Sequence, residues 1–232
     1  MTLTTSLPWQ TATPLATDFF NQDALTLAKA LLGKVIRHRF NGHWLSVRII
    51  ETEAYLLSDK GSHASLGYTE KRKALFMDGG IIYMYYARGG DSLNFSAKGA
   101  GNAVLIKSAF PYFDAISPES SLSILQENNP NRDGSQRSIG RLCAGQTLLC
   151  RSLGLKVPDW DAQPFDTQRL FVDDCALKPA TILQTKRLGI PQGRDEDLPY
   201  RFVDSDFAPY CTKNPLRRGQ IENQDYRVLV NL

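Results

Sequence analysis

Between residues 21 and 32 the apolar positions Leu25, Ala28, Leu31 and Leu32 recur at helical spacing. Asn21 or Asp18 can cap the start and Gly33 can stop it, so a helix is predicted over 21–32. From residue 33 to 55 the chain instead reads as two strands joined at Asn41-Gly42, a dipeptide suited to a tight hairpin turn. Side chains alternate along a strand, which puts Leu45, Val47, Ile49, Glu51, Glu53 and Tyr55 on one face. The first three are apolar, so the two glutamates are expected to continue a buried face. A lone charge there costs several kcal/mol unless it is paired.

A polar segment follows over residues 57–78, holding His63 and the run Glu70-Lys71-Arg72-Lys73. Strands are predicted at 81–87, 92–96 and 103–108, with a glycine-rich turn after the first. Residues 118–155 read as helical pieces separated by the polar loop 127–140, and from 168 onward short strands alternate with loops. No linker, charge block or internal repeat divides the chain. The pattern predicts an α+β fold: a single domain over 18–232, with a mixed, mostly antiparallel curved β-sheet surrounded by helices. Residues 1–17 are expected to form a loosely ordered N-terminal arm.

Composition changes this picture little. The chain has 232 residues and is 42% hydrophobic, enough for one sizeable core. Its net charge of +3 permits a nucleic-acid partner without demanding one. The four cysteines, Cys143, Cys150, Cys175 and Cys211, form no CxxC pair and lie near few histidines. Reduced, mostly buried thiols are expected, with no metal site. The first residues carry neither a basic leader nor an apolar run long enough for export, and no run approaches a membrane span. An intracellular, cytoplasmic protein is expected, nucleoid-associated if bacterial. Without a heptad pattern or an apolar surface stripe, it is expected to be a monomer.

The chemistry rests on few side chains. GxSxG, Walker and HExxH motifs are absent, and the glycines of residues 99–103 join two strands rather than opening a helix. Glu53 is either the structural partner of an arginine or a general base. His63 is a hydrogen-bonding residue or one wall of a pocket. Tyr83 and Tyr85 share a strand face, and with Tyr55 from a neighbouring strand they could sandwich a flat ligand such as a flipped nucleobase. Lys71, Arg72, Lys73, Arg132, Arg137 and Arg141 are solvated loop charges, or phosphate contacts if they flank such a pocket.

"RIIETEAY", His63, "ALFMDGGIIYMYY", "LNFS" and "GNAVLIKSAFP" occur in an order that resembles the alkyladenine (3-methyladenine) DNA glycosylase family. Weaker similarity runs on to residue 207. The resemblance implies that Glu53 is the general base that activates a water against the anomeric carbon of a flipped nucleotide. It implies that Tyr55, His63 and Tyr85 line the base pocket. By the same resemblance Asn94 crowds the 2-amino group of guanine, and Lys107 stands where the family often has an arginine near the water and backbone. The implied partner is double-stranded DNA containing damaged purines, and no cofactor is implied. An N-alkylated purine is cationic, so it leaves readily and stacks well on tyrosines.

Two departures from the family pattern stand out. The turn whose tyrosine wedges into the DNA is altered, leaving Arg88 or Tyr86 to fill that place. The family's Gly-Pro-x-Lys pattern is replaced by "AGQTLL" at residues 144–149. Lys71, Arg72, Lys73, Arg137 and Arg141 are the expected phosphate contacts. No lysine is expected to act as a Schiff-base nucleophile, so the enzyme should be a monofunctional glycosylase without lyase activity. Two other readings compete: a binding module of the same fold that cleaves nothing, and a glycoside hydrolase using Glu51 and Glu53 as a carboxylate pair.

Overall fold

The computed structural model describes residues 11–87 and 89–230. Among the described residues nine strands form one sheet: β1 (Val35–Phe40), β2 (His43–Tyr55), β3 (Ile82–Ala87), β4 (Gly90–Ser96), β5 (Ala103–Pro111), β6 (Leu170–Asp173), β7 (Thr181–Thr185), β8 (Arg201–Asp204) and β9 (Tyr226–Val230). Helices α1 (Ala24–Ala30), α2 (Ser121–Asn128), α3 (Gln146–Leu153) and α4 (Val157–Trp160) accompany it. The strand order is β3-β4-β5-β2-β8-β7-β9, with β1 bridging β2 to β6. Each of these ladders is antiparallel. The α+β class of the sequence reading therefore stands, with the strand ladders antiparallel throughout rather than mixed.

Strand β2 organises the sheet. Its first half pairs with β1, its end pairs with β8, and β5 runs along its other side. The β1–β2 hairpin turns at Asn41 and Gly42, whose φ values of 49° and 84° are what a two-residue turn between right-twisted strands needs. Helix α1 is shorter than predicted, because Asp23 rather than Asn21 or Asp18 caps it, accepting from Leu25 N at 3.1 Å and Thr26 N at 3.0 Å. Asp18 lies instead in a 3-10 turn, Thr17–Phe20. Gly33 turns the chain out of α1 at φ +87°; a Cβ there would meet Leu177 O at 2.2 Å. The described part of the N-terminal arm is fastened to β6, with Leu15 N donating to Val172 O and Thr13 N to Asp173 Oδ1. Residues 1–10 lie outside the described residues.

One expectation about β2 is corrected. The β2–β5 register shifts between Ile49 and Glu51 and again between Glu51 and Thr52. Before the irregularity Leu45, Val47 and Ile49 face the main core beside α1. After it Ala54 enters that core, and Thr52 donates its hydroxyl to Ala28 O of α1 at 2.8 Å. Ile50 packs with Leu183, Val203 and Ala208 in a separate cluster. Glu51, Glu53 and Tyr55 thus leave the Leu-Val-Ile face for the opposite one, since one extra residue in a strand inverts the alternation beyond it.

The main core packs α1, α2 and α3 against the sheet, with Phe20 stacked on Phe165 at 5.0 Å and edge-on to Phe95 at 5.9 Å. Cys143, Cys150 and Cys211 are buried and Cys175 is partly so; all four are free thiols, as expected.

Candidate active site

The opposite face of β2 carries two carboxylates in contrasting surroundings. Glu51 and Glu53 are both completely buried. Glu51 is saturated: Arg201 Nε donates to Oε1 at 2.6 Å, while the Ser108 hydroxyl and Thr212 N donate to Oε2 at 2.5 and 2.9 Å. Glu53 is held mainly by neutral donors. Leu188 N reaches Oε1 at 2.9 Å and the Tyr55 hydroxyl reaches Oε2 at 2.8 Å. Its cation, Lys107, stands back with Nζ at 3.4 Å from Oε1 and 3.5 Å from Oε2.

Tyr55, Lys107 and Leu188 are all walls of one cavity of about 380 Å³. His63, Tyr85, Asn94 and Tyr86 line the same cavity, so every described residue expected in the base pocket, beside the water or at the wedge converges here. His63 and Tyr85 form one wall, their rings edge-to-face with centroids 4.3 Å apart. His63 Nδ1 lies 3.0 Å from the Tyr83 hydroxyl, and Asn94 Nδ2 donates to Tyr83 O at 3.1 Å. Tyr86 is 68% exposed at the rim, whereas Arg88 lies outside the described residues.

The basic residues divide. Lys71 and Lys73 are exposed on the 3-10 turn Glu70–Phe76, and Arg141 is exposed on the turn Ile139–Arg141. Arg72 is committed to His63 O and Thr69 Oγ1, and Arg137 to Asn129 O and Pro130 O. Arg132 is exposed in the loop after α2.

Several residues of the site carried no sequence signal. Leu188 acts through its backbone N–H, which no side-chain pattern announces. Arg187 donates to Asp59 Oδ2 at 2.9 Å and Ala54 O at 3.1 Å, and lays its guanidinium 4.6 Å from the Tyr55 ring centre. Gln146, inside the stretch that departs from the family pattern, lines the cavity and accepts from Lys107 Nζ at 3.4 Å.

The electrostatics give each group a protonation role. Burial, reinforced by the Glu53 carboxylate, pushes the Tyr55 phenol well above its ordinary value, so it stays a hydrogen-bond donor. Loss of solvent around His63, aided by Arg72 and Arg194, lowers its imidazole below the usual range, so the ring is neutral at neutral pH. The described residues contain no cluster of histidine, cysteine and carboxylate side chains able to hold a metal. No helix among them is long and apolar enough to cross a membrane. Neither glutamate itself lines the cavity, but the partners of Glu53 do, whereas Glu51 has both oxygens taken by Arg201, Ser108 and Thr212, none of which lines it; this argues against the glycoside-hydrolase reading of the two glutamates as a catalytic pair.

A neutral aromatic wall, a second tyrosine and a recessed carboxylate suit a flat, electron-poor ring held beside a point of hydrolysis. The sequence pattern of the methylpurine-DNA glycosylase family matches residues 18–207. A protein of Pseudomonas aeruginosa (strain LESB58), named "Putative 3-methyladenine DNA glycosylase", is 67% identical over 224 residues, covering 97% of this chain and 94% of its own. Relatives with the same name in Pseudomonas savastanoi pv. phaseolicola (strain 1448A / Race 6) and Clostridium perfringens (strain 13 / Type A) are 67% and 32% identical. Those two matches cover 91% and 83% of this chain, and 95% and 96% of the relatives. With the family pattern spanning the cavity's walls from Tyr55 to Arg194, the chain belongs to the methylpurine-DNA glycosylase family.

Proposed function

We propose that this protein is a monofunctional DNA glycosylase that removes alkylated purines of the 3-methyladenine type, and deaminated purines, through a water activated by Glu53. The observation that carries the reading is that Glu53 is fully buried while its partners Tyr55, Lys107 and Leu188 all line the cavity. A flipped purine enters between Tyr55 on one side and the His63–Tyr85 wall on the other, because those two rings are already in contact and leave no slot between them. Asn94 crowds the edge where guanine carries its 2-amino group. Tyr86, exposed at the rim, fills the gap left in the duplex.

Glu53 takes a proton from water as the oxygen bonds to the anomeric carbon, and the C–N bond breaks with its electron pair moving to the purine. An N-alkylated purine then departs neutral. The carboxylate also stabilises the oxocarbenium-like charge that develops at the sugar. Lys107 faces the cavity, but its Nζ is engaged by Glu53 and Gln146 rather than serving as the nucleophile that attacks the sugar. The product is an intact strand with an abasic site. Lys71, Lys73 and Arg141 contact phosphates of the duplex, and the enzyme works as a cytoplasmic monomer.

The test is a duplex carrying one 3-methyladenine-type or hypoxanthine lesion, with alkali-revealed abasic sites counted for wild type and Glu53→Gln. Wild type should release the base, and the variant should lose about 10²- to 10⁴-fold in rate. Duplex binding without base release from either lesion would make the protein a binding module. A covalent complex trapped by borohydride would overturn the monofunctional assignment.

A further inference from the structure

Lys107 makes the loosest of the buried charge contacts near β2. Arg201–Glu51 and Arg37–Asp173 close to 2.6 Å and Arg187–Asp59 to 2.9 Å, in the range of tight charge-assisted hydrogen bonds. Lys107 stands at 3.4 and 3.5 Å from the two Glu53 oxygens although it is itself buried. The neutral donors on the same carboxylate, Tyr55 and Leu188, have closed fully. Something holds the ammonium off, and its third polar contact is the side-chain oxygen of Gln146, at 3.4 Å. An ammonium has three donors and no acceptor, so these three oxygens share it.

The helix that presents Gln146 is firmly placed. It opens after Gly145, at φ +139°, and its second residue, Thr147, abuts Gly90 of β4 so closely that a Cβ on Gly90 would lie 2.9 Å from Thr147 Cβ. Gln146 thus projects from a fixed point into the cavity wall, where its side-chain oxygen meets Lys107 Nζ.

We propose that Gln146 is a positioning residue for base excision: its amide oxygen draws the Lys107 ammonium back from Glu53 and leaves the carboxylate free to accept a proton from water. The inference rests on the reading of Glu53 as the base. Without Gln146 the ammonium closes on Glu53, occupies the lone pairs that face the water and stabilises the charged carboxylate, which weakens it as a base. The other charged and titratable neighbours cannot substitute. Arg201 is bound to Glu51, Arg187 to Asp59, and Tyr55 is a protonated donor; His63 pairs with the Tyr83 hydroxyl and Arg194 with Lys60 O.

The experiment measures single-turnover excision of a cationic alkylated purine from duplex DNA against pH, together with duplex affinity. The variants are Gln146→Ala, Gln146→Glu, Lys107→Ala, the Gln146→Ala/Lys107→Ala double variant and Glu53→Gln. Gln146→Ala should slow excision by about three- to tenfold and move the acid limb of the profile to lower pH, at unchanged affinity. Gln146→Glu, which keeps an acceptor, should retain the rate and hold the acid limb at or above that of wild type. In the Lys107→Ala background Gln146→Ala should have no further effect. If Gln146→Ala does not fold, Gln146→Asn replaces it with the same expected signs, since its shorter side chain draws back from the lysine. An unmoved acid limb, or an undiminished effect without Lys107, overturns the proposal while a dead Glu53→Gln still supports the general-base reading. Full activity of Glu53→Gln overturns both.

Discussion

Arg201 lies directly across the β2–β8 ladder from Glu53, yet its Nε closes on Glu51 at 2.6 Å and its Nη2 on Lys213 O at 2.6 Å. An arginine opposite a carboxylate would ordinarily pair with it. By reaching to Glu51 it neutralises one buried glutamate and leaves the next to Lys107 and two neutral donors. Two identical side chains two residues apart thereby acquire different surroundings, one tied to Arg201 and the segment around Thr212, the other to three residues that line the cavity.

That division predicts opposite phenotypes. Glu51→Gln strands the Arg201 guanidinium, 2% exposed, without a counter-charge, and breaking a buried pair of this kind costs about 3–5 kcal/mol. Urea unfolding should record that loss, while the folded fraction excises base at near the wild-type rate. Glu53→Gln should reverse the pattern, with a smaller loss of stability because Lys107 opens on the cavity, and excision slowed by about 10²- to 10⁴-fold. Equal destabilisation by the two variants would refute the division.

Much of this was legible in the chain, and the exceptions have physical reasons. The hairpin at Asn41-Gly42 and the strands β3, β4 and β5 follow from period-two patterning and turn residues, which are local properties. The irregularity at Ile50 has no local mark: no glycine or proline announces it, and it coincides with the place where Lys107 and Ser108 of β5 both contact the glutamates. Parity counting therefore put Glu51 and Glu53 together, as they are, but on the wrong face. Tyr55, His63 and Tyr85 can be picked as pocket walls from side-chain chemistry, while Asn94 and Lys107 follow only from the family resemblance; all five line the cavity. The backbone N–H of Leu188 and the amide of Gln146 come from segments distant in sequence and could be found only once the chain was folded.

His38 gives the fold an acid sensitivity separate from the chemistry. It is buried between β1 and α3, with Nδ1 2.7 Å from Leu153 O, and burial lowers its imidazole below the ordinary value. At pH above the unfolded value of about 6.5 both states are neutral and the full stability is present. As pH falls below it, the unfolded chain takes up the proton first, so stability declines until the folded-state value is passed. The slope in that window is at most about 1.4 kcal/mol per pH unit. His38→Gln keeps a donor for Leu153 O and should flatten the difference between melts at neutral and mildly acid pH. An unchanged difference would assign the acid loss to other groups.

His63 should set the pH dependence of lesion recognition. Its ring forms the cavity wall with Tyr85 and is kept neutral at neutral pH by loss of solvent and by Arg72 and Arg194. A cationic alkylated purine beside a neutral imidazole meets a polarisable wall; beside an imidazolium it meets a like charge. Because the folded-state value lies below the ordinary one, recognition should hold through neutral pH and weaken only as pH falls through that lowered value. A neutral lesion such as hypoxanthine carries no charge to repel, so its affinity should fall less over the same range. Duplex affinity measured with the Glu53→Gln protein, which binds without turning over, separates recognition from chemistry. The cationic lesion should lose affinity on acidification, the neutral one should lose less, and His63→Phe should remove the difference while preserving an aromatic wall. Parallel losses for both lesions, or a difference that survives His63→Phe, would move the effect to the phosphate contacts and away from the base pocket.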